Sequence, residues 1–306
     1  MIKKTILYFF AFLLLATIVL FSIPVKTQSF SEYYQNNDDI QKSLLSFREY
    51  PTKTISYNNN EWDYISIGNG PKHLLFLHGM GGAYDIWFQQ IEKLKDSFHI
   101  VSLTMPTVHS LSDATDGIIQ ILNKENIEKV SIIGSSMGGY IGQYFLKKHP
   151  DRLNKMVLGN TFPPNKFYQE ENGKMRKIIP FLPEWFVMSE FRKNASKNVI
   201  PASENSKLVE AYLFEQYSGL MTKQQFIGRF DMVLEYFELS KTADSQSIPK
   251  LIIESDNDPL VNEDLRNELK SNYPEAEIFT FSGKGHFPYL NRPNNYNDIL
   301  LKFLTD

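Results

Sequence analysis

A chain of 306 residues with 42% hydrophobic content can build a sizeable core, either as one α/β unit with an insertion or as two domains. A net charge of −3 argues against a nucleic-acid partner, which needs a clustered basic surface. The absence of cysteine excludes disulfides, thiolate metal sites and a lipid-modified cysteine, and leaves the redox compartment open.

Lys3 and Lys4 precede Ile6–Ile23, an apolar run without charge. Its length reaches the lower limit for crossing a bilayer and exceeds a usual signal-peptide core. Ser22-Ile23-Pro24-Val25-Lys26 is a poor cleavage site, and the two lysines favour a cytoplasmic N-terminus. Residues 1–29 are therefore expected to be an uncleaved membrane anchor with an extracytoplasmic body, the alternative being a cleaved signal and a secreted or periplasmic protein. Polar residues 30–52 read as a linker or short helix. Lys53–Tyr57 and Trp62–Ile67 alternate around Asn58-Asn59-Asn60, which predicts an antiparallel hairpin at a sheet edge.

His73–Leu77 is a predicted strand that runs into His78-Gly79-Met80-Gly81-Gly82, a glycine-rich loop with neither dinucleotide-binding nor P-loop spacing. A helix over Ala83–Leu94, a strand over His99–Thr104 and a helix from a Ser112 cap to Asn126 follow. Val130–Gly134 is a β-branched run of the buried-strand type, and Met137 opens a helix with Gly138, Gly139 and Gly142. Between them lies Gly134-Ser135-Ser136-Met137-Gly138, a G-x-S-x-G pattern in the strand–turn–helix setting that lifts a serine hydroxyl above the strand ends. Ser136 is at its centre, with Ser135 the neighbouring alternative.

Lys155–Gly159 is the next strand. From residue 162 to about 247 the α/β rhythm stops. Prolines punctuate helical segments dense in aromatics such as Phe162, Phe181, Trp185, Phe191, Tyr217, Phe226 and Phe230. Most of these side chains are expected to fill the insertion's own core, and some to line a pocket over the serine. The strand Lys250–Glu254 leads to Ser255-Asp256-Asn257-Asp258-Pro259, and the strand Glu277–Ser282 to Gly283-Lys284-Gly285-His286-Phe287.

Serine, acid and histidine in that chain order, each after a strand, resemble the α/β-hydrolase family from about Asn60 to the C-terminus. The resemblance implies a mostly parallel sheet with helices on both faces, a core of residues 53–161 and 248–306, and a helical cap over 162–247. It further implies a catalytic trio of Ser136, Asp258 and His286, with the backbone amides of Met80 and Met137 as oxyanion donors. Asp256 rivals Asp258, and His109 is the credible rival to His286. No cofactor or metal is implied, since no histidine pair has helical ligand spacing.

The chemistry fits those residue types. Serine needs a base as it attacks, and histidine titrates in the range that serves at neutral pH. An acid fixes the ring's tautomer, and backbone amides hold the oxyanion. The expected activity is serine hydrolysis of an ester or related acyl compound (a carboxylic-ester hydrolase, EC 3.1.1), with a small-molecule substrate of apolar or lipid-like character. Asp116-Gly117, Leu158–Phe162 and Phe287–Leu290 also resemble maspardin-like members of the family, which keeps a non-catalytic binding role as the alternative.

Overall fold

A computed structural model describes residues 2–305. Its frame is an eight-stranded sheet in the order β1-β2-β4-β3-β5-β6-β7-β8. The strands are β1 (Lys53–Tyr57), β2 (Asn60–Ile67), β3 (Lys72–Leu77), β4 (Phe98–Leu103), β5 (Val130–Ser135), β6 (Leu153–Gly159), β7 (Lys250–Ser255) and β8 (Glu277–Phe281). β1 and β2 form the antiparallel edge, with Asn58 and Asn59 turning through positive φ. Every pairing from β4 to β8 is parallel.

The apolar runs sort by the two-residue strand period. Leu75, Leu77, Ile132 and Leu158 join one buried cluster, while Leu74, Phe76, Ile133 and Val157 join the other. Helices cover both faces, as parallel strands require. On the first lie α5 (Leu111–Lys124) and α6 (Met137–Lys148), contributing Ile118, Ile121, Tyr140 and Phe145. On the second lie α4 (Phe88–Leu94) and the helix Pro293–Thr305, contributing Ile91, Leu94, Leu300 and Phe303. The α5 cap is Ser110, whose hydroxyl accepts from the Asp113 amide, two residues earlier than the Ser112 expected from sequence.

Before the sheet, α1 (Ile2–Ser22) is followed by α2 (Phe30–Tyr33) and α3 (Asp39–Phe47). Residues Lys4–Ser22 have a mean hydropathy of 2.4, and none of that surface is buried. By contrast Phe30, Tyr34, Leu44 and Phe47 are buried against the second face. Arg48 joins Asp85 at 2.6 Å and Glu215 at 2.6 Å, and Glu215 also accepts from the Phe30 amide at 2.8 Å. Burial opposes the Arg48 charge, but the two carboxylates outweigh it and push its pKa up.

Between β6 and β7 the chain leaves the sheet through α7 (Lys166–Ile178), α8 (Glu184–Asn194), the turn α9 (Ile200–Ala202), α10 (Lys207–Glu215), α11 (Lys223–Leu234) and α12 (Ala243–Ser247). This helical insertion packs through a chain of rings, Phe191 to Tyr217 and to Phe226, then Phe226 to Phe230. Its cluster reaches Met80 and Met137 on the sheet side.

Candidate active site

Because β5, β6, β7 and β8 are parallel, the segments that follow them emerge at one edge of the sheet. Ser136 follows β5, Asn160 follows β6, Asp258 follows β7 and His286 follows β8.

Ser136 holds φ 53° and ψ −119°, the left-handed backbone of a sharp strand-to-helix turn. Such a conformation costs of order 1–3 kcal/mol in a residue with a side chain and needs surroundings that enforce it. Those surroundings are present. The Ser136 amide donates to Gly159 O at 2.9 Å, and its carbonyl accepts from Thr161 Oγ1 at 2.6 Å and from the Tyr140 amide at 3.0 Å. The strand and helix also close tightly: a Cβ on Gly134 would lie 2.4 Å from Gly138 O, and one on Gly138 would lie 2.1 Å from Leu77 O. Ser135 is buried at 1% exposure, whereas Ser136 is only half-buried.

His286 and Asp258 form a buried pair, with Nδ1 2.8 Å from Oδ2 and 3.0 Å from Oδ1. Asp258 also accepts from the Leu260 amide at 2.9 Å, the Val261 amide at 3.2 Å and Asn160 Nδ2 at 2.8 Å. Burial alone would raise its pKa. The adjacent His286 ring and these donors outweigh burial and hold the carboxyl below the usual range. Asp256 is exposed and does other work, accepting from Ser282 Oγ at 3.0 Å and the Gly283 amide at 2.7 Å, which braces the loop carrying His286. His109 is drawn away to the insertion, where Nδ1 lies 2.7 Å from Asp231 Oδ2.

Met80 lies in the loop after β3, and Met137 is the first residue of α6. Among the described residues, neither amide donates to another protein group. Gly79 faces the serine, since a Cβ on it would sit 3.2 Å from Ser136 Cβ. The loop is pinned from both sides. His78 Nε2 accepts from the Met105 amide at 2.9 Å, which makes Nδ1 the protonated nitrogen that donates to Gly79 O at 2.6 Å. Burial, then the Arg229 charge, push the His78 pKa down to about 3.

Arg229, on α11, is 1% exposed and has no carboxylate partner among the described residues. Its Nη1 donates to Met80 O at 2.7 Å and Gly82 O at 3.0 Å, and its Nη2 to Met105 O at 3.1 Å. Burial lowers its pKa to about 10, while Tyr212 and Tyr217 nearby work in the opposite direction. Tyr217 closes over the same loop, its hydroxyl 2.6 Å from where a Gly81 Cβ would be.

Sequence reasoning did not single out Arg229, His78 as a brace, or Asn160 as the Asp258 partner. A lone cation inside the apolar stretch Phe226–Phe230 was the available signal for Arg229. An asparagine just beyond a strand, here at φ 40°, was the signal for Asn160.

Residues 72–293 match the family described as alpha/beta hydrolase fold. Among curated relatives, a putative carbamate hydrolase RutD from Agrobacterium fabrum is 24% identical, covering 76% of this chain and 92% of its own length. Maspardin from Danio rerio is 25% identical, covering 81% of this chain and 80% of its own. Among solved structures, a membrane phospholipase A described as a bacterial virulence factor covers 99% of this chain and 98% of its own with a TM-score of 0.69 at 16% identity. A thermophilic esterase from Thermogutta terrifontis covers 83% of this chain and 98% of its own with a TM-score of 0.64 at 18% identity. With its sheet order, its helical insertion and this match, the chain belongs to the α/β-hydrolase family.

Proposed function

We propose that this hydrolase cleaves a carboxylic ester or related acyl compound through an acyl-enzyme on Ser136. Ser136 Oγ attacks the acyl carbon while its proton passes to His286 Nε2. Asp258 keeps the proton on Nδ1 and stabilises the imidazolium that forms. The amides of Met80 and Met137 receive the oxyanion, and His286 returns the proton to the departing alkoxide. Water then repeats the sequence and releases the acid. Supporting this reading most directly is the buried Asp258–His286 pair at the same sheet edge as a serine held in the strained turn.

Residues 53–161 and 248–306 serve as the catalytic core and 162–247 as the cap. Apolar side chains reaching Met80 and Met137 from the cap favour an apolar, lipid-like acyl group. The exposed apolar α1 is read as a membrane anchor with the body outside the cytoplasm, the alternative being a signal that is removed.

Treatment with a fluorescent active-site phosphonate, alongside turnover of p-nitrophenyl esters, tests the assignment. Wild type is expected to label and turn over and Ser136→Ala to do neither. Equal labelling of both proteins refutes it. A non-catalytic binding role is the alternative, and folded wild type with neither labelling nor turnover would favour it over hydrolysis.

A further inference from the structure

Beyond α1, exposed large apolar side chains concentrate on the cap: Phe167, Met175, Ile178, Phe181, Phe186 and Leu220. Phe181 is 79% exposed and Phe167 74%, values that cost free energy in water and mark a docking surface when they cluster. On α7, Phe167 and Ile178 are eleven residues apart, close to three full helical turns, so they share one face.

That surface is continuous with the end of α1. Trp185 Nε1 donates to Leu20 O at 2.9 Å. Lys223 Nζ stands 5.9 Å from the Phe21 ring centre and donates to Leu182 O at 2.8 Å and Pro180 O at 3.3 Å, on either side of Phe181. Thr27 packs against Gly219, beside Leu220, and Val25 packs against the core cluster. The last turn of the apolar helix and the cap's exposed apolar turn are thus held together by named contacts.

From this juxtaposition we infer that the cap docks on a phospholipid bilayer, with Ile178, Phe181 and Leu220 immersed among the acyl chains beside the emerging α1. The inference rests on the reading of α1 as a membrane anchor. Its two halves support each other: a helix that leaves the bilayer at Leu20–Ser22 brings Trp185 to headgroup depth, where indoles concentrate, and lysines such as Lys223 reach the phosphates. A substrate would then enter under the cap from the lipid side rather than from bulk water.

The full chain in phosphatidylcholine nanodiscs provides the test, with brominated acyl chains as contact quenchers. Of the three tryptophans, Trp62 and Trp87 are fully buried, so lipid-quenchable emission belongs to Trp185. Strong quenching is expected in the wild type and its loss in Trp185→Phe. Ile178→Glu combined with Phe181→Glu is expected to cut quenching roughly twofold or more while leaving turnover of a short, water-soluble ester unchanged. Unquenched emission from embedded wild type overturns the inference, as does quenching that the double variant leaves intact. Self-association through the cap with no quenching overturns it in favour of a second copy. A chain that fails to float with the lipid removes the anchor itself, whereas loss of phosphonate labelling would bear only on Ser136.

Discussion

Replacing Arg229 with Met tests whether the helical insertion positions the proposed oxyanion loop. The guanidinium is 1% exposed and donates to three carbonyls, those of Met80, Gly82 and Met105. Methionine keeps much of the volume and removes every donor. Each carbonyl left buried without a partner costs about 1–3 kcal/mol, partly relieved where the loop shifts or water enters. On the other side, burial opposes the Arg229 charge and lowers its pKa to about 10, so the variant also recovers part of the cost of desolvating the cation. The net loss expected is about 2–4 kcal/mol of stability, read as the urea midpoint. The catalytic consequence separates positioning from mere packing. Met80, whose carbonyl Arg229 holds, also carries a proposed oxyanion amide. Losing one such donor costs about 2.7–4 kcal/mol, or 10²–10³ in kcat, which sets the ceiling. Partial misplacement is expected to lower kcat on p-nitrophenyl butyrate by roughly 10- to 100-fold at nearly constant KM. Arg229→Lys, able to satisfy only part of the set, should fall between. A folded Arg229→Met protein with wild-type kcat would refute the argument.

Asp258→Asn should lower kcat by roughly 10³- to 10⁴-fold by losing the tautomer control, while Asp256→Asn should cost less than about tenfold; a larger loss at Asp256 reverses the assignment. His78 makes stability pH-dependent. Its folded pKa of about 3 lies below the ordinary histidine value, so the stabilisation is complete above about pH 6.5 and is lost as pH falls towards 3. The slope is about 1.4 kcal/mol per pH unit in that window, and urea titrations of His78→Asn should show it reduced by about one proton; an unchanged slope counts against the buried neutral ring. In Gly117→Ala the new methyl would lie 2.0 Å from Trp62 Cζ2, in the core between α5 and β2, and a loss of about 2–3 kcal/mol is expected in thermal unfolding. An unaltered Tm would show that the indole moves freely.

What could be read from sequence was local. The strained turn at Ser136 needs small residues at fixed offsets, so Gly134 and Gly138 announce it, and the acid and histidine loops each follow a strand whose pattern stands alone. Arg229 could not be read this way. Its acceptors are backbone carbonyls more than a hundred residues away, and a carbonyl has no sequence signature. The same holds for Asn160, whose partner belongs to a different strand end. Residues 30–52 read as polar because their apolar residues are few. Phe30, Tyr34, Leu44 and Phe47 are nevertheless buried, and only the folded second face shows why they are there.

The Arg48 cluster has a practical meaning for where the chain can be cut. Arg48 binds Glu215 of the helical insertion and Asp85 just after the Gly79–Gly82 loop, and Glu215 accepts from the Phe30 amide. Protease nicking before Gln28 would remove α1 and leave this cluster whole. Nicking between Arg48 and β1 would loosen the counter-charge on two buried acids and, with it, the tie between the helical insertion and the chain before β1. Loss of α1 and loss of the Arg48 cluster are thus separated by some twenty residues of backbone.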